Sequence, residues 1–222
     1  PSEAPVLENC VITINYVFAN GEQAAPSWTA TIAKGSNYKA EIASPQVVGY
    51  TPRQATYTVK VTNIQKDETY TVTYDPAEVK YVVVHFWQNT EDDDYTEHER
   101  EEKTALTGSP VGGTLAKDYD GFSALLYDGT NEVAADGSTV VKIYYDREYY
   151  LLSLDLDGGY GAEPVYARYG TAVKKYVSTP KKSGYDFAGW TPEIPDTMPA
   201  TNSLCKATWT AKDGVEYTVQ YW

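Results

Sequence analysis

The chain has 222 residues, with 18 Lys and Arg against 31 Asp and Glu, and a net charge of −13. So acidic a chain repels phosphate, which argues against nucleic acid and anionic membrane surfaces as partners. It contains no run of about 18 apolar residues, so no segment inserts in a bilayer as a helix. The aromatic set is 21 Tyr against 4 Phe and 5 Trp. Tyr suits pleated, half-buried surfaces and keeps its hydroxyl in water, so this balance points to β-structure with thin cores.

Pro1 opens the chain without a Met, and residues 1–9 have neither signal-peptide nor transit-peptide character. They read as an N-terminal extension of a segment excised from a longer protein. Three β-rich units then follow a common plan. The first, 10–77, opens on VITINYVFANG (Val11 to Gly21) and closes on TYTVTYDP (Thr69 to Pro76). The second, 78–147, opens on VKYVVVHFWQN (Val79 to Asn89) and closes on VVKIYYDRE, whose last residue is Glu148. The third, 148–212, opens on YYLLSLDLDGG (Tyr149 to Gly159) and closes on LCKATWTA (Leu204 to Ala211). Residues 213–222 contain VEYTVQYW, which rhymes with the opening of the second unit. They read as the opening strand of a further repeat, or as an extra strand of unit three.

Apolar residues alternate with period two in the opening strands. In the first, Ile12, Ile14, Tyr16 and Phe18 form the core face. Asn20-Gly21, Asp128-Gly129 and Asp157-Gly158-Gly159 are turn signals. Helical character is weak and confined to Leu115–Leu126, interrupted by Gly121, and to Thr171–Val177. The fold class is therefore mostly β, α+β at the margin: tandem small modules, each a mixed sheet with at most one short helix. Cys10 and Cys205 belong to different units and read as unpaired, packed small hydrophobes.

In unit three, D-x-x-G-G at Asp155–Gly159, Tyr169-Gly170, the run Gly184-Tyr185-Asp186-Phe187-Ala188-Gly189-Trp190 and L-x-A-x-W at Leu204–Trp209 resemble the Listeria–Bacteroides repeat, or internalin B-repeat. In unit one, Asn20-Gly21, Pro26, Gly35 with Tyr38, Pro45 to Tyr50 and Tyr70 to Tyr74 are similar to the mucin-binding-protein repeat. These resemblances imply β-grasp-like modules of Gram-positive proteins that are secreted or attached to the cell wall, with adhesive or spacer roles. In such modules Tyr185, Phe187 and Trp190 would wedge the core, and Gly189 would leave room for close backbone approach.

For chemistry the sequence offers little. There is no G-x-S-x-G, H-E-x-x-H or P-loop, so neither catalysis nor a cofactor is expected. The acidic run Glu91 to Asp94 is a solvated hairpin in the plainest reading, with Asp92, Asp93 and Asp94 as a weak calcium candidate lacking the distal Glu of a calcium loop. Neighbouring aromatics alternate between core and surface, which leaves Trp87, Tyr145 and Tyr150 as candidate contacts for a host glycoprotein or glycan. Three functions stay open: an extracellular adhesive stalk or spacer, a specific glycan- or mucin-binding module, and accessory repeats of a large secreted enzyme. The chain reads as a monomer whose repeats contact one another.

The joints Asp75-Pro76-Ala77-Glu78 and Asp146-Arg147-Glu148 are very short and limit bending, so an elongated rod is expected. Small-angle scattering checks this. A radius of gyration well above the roughly 17 Å of a globular chain of this length is predicted, and a value near 17 Å contradicts it.

Overall fold

The computed structural model describes residues 8–111, 115–125, 132–214, 218–220 and 222. Leu126, the Asp128-Gly129 turn, residues 1–7 and half of VEYTVQYW lie outside the described residues. The chain divides into two compact units. One comprises Pro1–Val82, Glu101–Gly112 and Asp128–Val141; the other comprises Val83–Arg100, Gly113–Tyr127 and Lys142–Trp222.

The first unit contains β1 (Asn9–Phe18), β2 (Gln23–Ala33), β3 (Tyr38–Ala43), β4 (Tyr50–Pro52), β5 (Thr56–Val61) and β6 (Glu68–Pro76). Four of these form a sheet in the order β2-β1-β6-β4, and β3 pairs with β5 in a separate ribbon. β1 runs antiparallel to β2 but parallel to β6, Ile14 lying opposite Tyr70. Opening and closing strands are thus central neighbours. Period two decides what they bury. Ile12, Ile14 and Tyr16 are at most 1% exposed, and Val72 and Tyr74 supply the same face of β6. Val59 closes the core from the ribbon. Cys10 continues the buried face as a free thiol, and Phe18 is half-buried against Tyr50 at 4.5 Å.

The middle sheet has the order β8-β7-β10-β9, built from β7 (Glu78–Gln88), β8 (Tyr95–Leu106), β9 (Phe122–Ala124) and β10 (Val140–Arg147). The division between the compact units falls within β7, β8 and β10. β7 buries Val83, Val84 and His85 in succession. Such a run marks a strand covered on both faces.

The second unit also holds β11 (Tyr149–Asp155), β12 (Val165–Arg168), β13 (Tyr185–Thr191) and β14 (Ser203–Ala211), in the order β12-β11-β14-β13. β11 is antiparallel to β12 and parallel to β14. Leu152, Val173, Met198 and Cys205 form its core, with Trp190 packed against them. Tyr185 does not join that core: it is 40% exposed. Nor does Gly189 serve a close approach among the described residues, since a Cβ there would meet none of them within 4 Å; its φ of +127° instead fits the bulge between Phe187 and Gly189. Close approach occurs at Gly159, where a Cβ would lie 2.5 Å from Trp209.

The protein is mostly β, and three four-stranded sheets repeat one strand plan. Thr171–Val177 contains a 3₁₀ turn at Lys174–Tyr176. Leu115–Leu126 is not helical where described: residues 115–119 have no regular structure, and Gly121 turns at φ +77° into β9. No helix among the described residues is long and apolar enough to cross a membrane.

The strand faces yield a direct test. Ile14→Ala should cost roughly 2–4 kcal/mol, whereas Thr13→Ala on the opposite face should change stability by less than about 0.5 kcal/mol. Urea denaturation of the two variants measures the difference.

Candidate functional site

The three sheets share one hydrogen-bond pattern where a closing strand ends. Only Ala77 separates β6 from β7, and only Glu148 separates β10 from β11. Each of these linking residues is bonded on both sides. The Ala77 N–H donates to Gly49 O at 2.9 Å, and its carbonyl accepts from Thr107 N at 3.0 Å. Glu148 N–H donates to Gly121 O at 2.9 Å, and its carbonyl accepts from Tyr169 N at 2.8 Å. Half of the pattern recurs before β1 and after β14: Lys34 N donates to Glu8 O, and Lys212 N to Gly184 O.

Glycine makes the acceptors possible. Gly49, Gly121 and Gly184 have φ of +74°, +77° and +76°, in turns closed by Tyr50 N→Val47 O, Phe122 N→Tyr119 O and Tyr185 N→Lys182 O. A second left-handed glycine follows each hairpin. Gly35, Gly108 and Gly170 donate to Ile64 O, Val133 O and Met198 O.

Side chains reinforce the links. Thr107 Oγ1 also donates to Gly49 O at 2.8 Å, and Gly49 abuts Ala135 so closely that a Cβ would come within 2.6 Å of it. A Cβ on Gly121 would collide with the Tyr169 ring. Arg147 donates from Nε to Gln88 O at 2.5 Å and from Nη1 to Tyr169 O at 2.9 Å, while its guanidinium lies 4.8 Å over the Phe122 ring. The Tyr-Asp pairs that end β6 and β10 divide their work. Tyr74 and Tyr145 are fully buried. Tyr74 donates to Pro45 O at 2.7 Å, and the Tyr145 hydroxyl accepts from Lys117 N and lies 2.8 Å from His85 Nδ1. Asp75 is gripped by Arg53 through two nitrogens, which lowers its pKa. Asp146 accepts from Tyr95 at 2.5 Å, a bond that pushes the Tyr95 phenol up to about 12.

The residues singled out from sequence fall differently. Tyr145 is core and cannot touch a ligand. Trp87 is stacked between His98 and Phe122, with ring centroids at 3.3 and 4.4 Å, and its Nε1 finds no acceptor among the described residues. Tyr150 packs on the third core, and its hydroxyl donates to Glu148 Oε2 at 2.6 Å, which pushes its pKa up to about 12. The acidic run forms the turn from β7 to β8. Asp92 Oδ1 caps that turn by accepting from Asn89 Nδ2 and Asp94 N, and Asp93 pairs with Arg168. These carboxylates point to separate partners, and Asp94 contributes its backbone. No group of three or more metal-ligating side chains converges among the described residues.

Two of the exposed aromatics are Tyr149, the neighbour of Tyr150 on β11, and Tyr166 on β12. They are 49% and 68% exposed, and their rings stack at 5.3 Å. The signal was present in the alternation, because Leu152 and Leu154 fix the core face and send Tyr149 outward. With Glu91, Asp93, Glu163 and Tyr176 the pair lines a groove of about 530 Å³. Arg168 lies 5.7 Å over the Tyr149 ring and donates to Asp92 O at 2.5 Å, tying the turn to β12. Glu99 was also missed: it accepts from Lys117 Nζ and from Tyr119, both at 2.8 Å.

No family model matches this chain, and no curated protein matches it. Among solved structures, a MucBP domain of a Lactobacillus acidophilus protein is similar over 32% of this chain and 93% of its own, at 17% identity and a TM-score of 0.25. The Bacillus anthracis TIE protein is similar over 89% of this chain, at 9% identity and a TM-score of 0.37. The chain spans 49% of that second structure. Both similarities are low, and neither places the chain in a family.

The link predicts a pH effect. Hydrogen bonds from Tyr150 first and Ser123 second lower the Glu148 pKa. A depressed carboxylate stabilises the fold above its unfolded pKa, about 4.3, and loses that contribution as pH falls through the folded value. Glu148→Gln should therefore flatten the loss of stability below about pH 4.3, read from urea midpoints at pH 7 and pH 3.5. An unchanged slope contradicts the assignment.

Proposed function

We propose that the chain is a non-catalytic repeat segment of an extracellular bacterial surface protein, in which three modules, 10–77, 78–147 and 148–212, act as an adhesive stalk or spacer. The observation that carries this reading is the recurrence of the linking bonds. A connection one residue long, bonded through both its N–H and its C=O, suits a protein whose task is to hold something at a distance. The resemblance of residues 149–211 to the Listeria–Bacteroides repeat, and of 10–76 to the mucin-binding-protein repeat, supports the cell-surface setting. The acidic surface fits a solvated, monomeric stalk without cofactor.

A second reading is favoured by one observation. The stacked, exposed pair Tyr149 and Tyr166 beside Glu91 and Glu163 resembles a platform on which a sugar face stacks while carboxylates accept from its hydroxyls. Under it one module recognises a host glycan or glycoprotein.

Two measurements divide these readings. Arg147→Ala strips two acceptors and a ring face of their guanidinium, and should cost about 2–4 kcal/mol. It should also let residues 149–211 reorient separately in ¹⁵N relaxation. A variant as stable and as rigid as the parent contradicts the stalk. A glycan array should be silent for a spacer; reproducible binding that falls at least tenfold in Tyr166→Ala would establish the second reading in its place.

A further inference from the structure

The third sheet ends on a face whose counterparts in the other two sheets are covered. At Gly49, Ala135 fills the space where a Cβ would stand; at Gly121, the Tyr169 ring does. At Gly184 nothing among the described residues lies within 4 Å, although its φ, its turn and the bond it accepts from Lys212 N are the same. The aromatic residue after each glycine follows suit. Phe122 is 8% exposed, lying under Arg147 and edge-on to Tyr169 at 5.6 Å. Its counterpart Tyr185 is 40% exposed. Register makes the two equivalent: Phe122 pairs with Arg147, the last residue of β10, and Tyr185 with Ala211, the last of β14. Beside Tyr185 runs an open groove of about 580 Å³, bounded by Tyr160, Lys182, Trp209 and Lys212, with Tyr160 63% exposed.

The linking carbonyl completes the comparison. Glu8 O, Ala77 O and Glu148 O each accept the N–H of the residue before a left-handed glycine, namely Lys34, Thr107 and Tyr169. Lys212 occupies the same position by virtue of its bond to Gly184 O, and no N–H donates to its carbonyl among the described residues.

We propose that Gly184, Tyr185 and the Lys212 carbonyl form a docking face for a further β module of the kind built by residues 149–211, entered directly after Lys212. The residue of that module equivalent to Tyr169 donates its N–H to Lys212 O and lays its side chain over Gly184 and Tyr185. The occupant follows from continuity with the two links already present: the same glycine turn and linking N–H receive the next module in each. An exposed tyrosine pair is what such a module would cover, since burying aromatic surface is the main gain of a small interface. The inference rests on the repeat reading proposed above.

The test keeps residues 1–212 intact. One variant replaces 213–222 with a second copy of 149–212 fused directly to Lys212, and another carries the same copy behind a ten-residue Gly-Ser linker. Docking predicts shifted Gly184 and Tyr185 amide resonances and at least tenfold slower exchange of the Tyr185 amide in the direct fusion. The linked version should match the parent. Identical behaviour of the two fusions overturns the inference. Concentration-dependent shifts of Tyr185 in the parent also overturn it, by assigning the face to a second copy. The relaxation of residues 149–211 against the rest, read in the same samples, separates the outcomes: intact internal links with no docking sink only this inference, and loose internal links sink the stalk reading as well.

Discussion

A single backbone N–H, returned from a linking residue to the carbonyl of a left-handed glycine, is the interaction on which the rest of this structure depends. A one-residue link has only two soft dihedrals. At Ala77 and Glu148 both are fixed, because the N–H is held by Gly49 or Gly121 and the C=O by Thr107 or Tyr169. The acceptor carbonyl is presented correctly only if the turn before it takes positive φ, which glycine adopts without the penalty a Cβ brings. The strand order then follows. With opening and closing strands parallel and adjacent, as in β1 with β6 and β11 with β14, the chain enters at one end of a sheet and leaves at the other.

This plan also accounts for the tyrosines. A core enclosed by one four-stranded sheet is small, so each buried side chain must fill volume and still satisfy the backbone around it. Tyr74 and Tyr145 do both, filling a core and placing a hydroxyl against Pro45 O or against Lys117 N and His85. Trp209 occupies the matching place in the third sheet and donates its Nε1 to Leu156 O at 3.1 Å. The Asp after each tyrosine sits on the other face of its strand and is held by Arg53 or Tyr95. The repeated Tyr-Asp is therefore one core residue and one clamp.

Period-two alternation made the opening and closing strands legible, because all of the six but β7, which is covered on both faces, have a wet face and a dry one. What it could not convey is partnership. That β1 lies beside β6, or that Glu99 turns inward to Lys117 and Tyr119, depends on residues far apart in the chain. The helix expected over Leu115–Leu126 failed because Gly121 is committed to a left-handed turn that the link requires. Among the candidate contacts Tyr150 stands one place off register: it faces the core that Leu152 and Leu154 define, and Tyr149 faces out. The acidic run reads from sequence as a solvated hairpin or a weak calcium site; in the structure Asp92 caps a turn and Asp93 holds Arg168.

The central claim is that the linking residues are as firmly bonded as strand interiors. Native-state amide hydrogen exchange of the full chain tests it most directly. Protection of the Ala77 and Glu148 amides comparable to that of Ile14 or Leu152 is the predicted result. Exchange of those two amides at the rate of an unbonded loop would contradict the account.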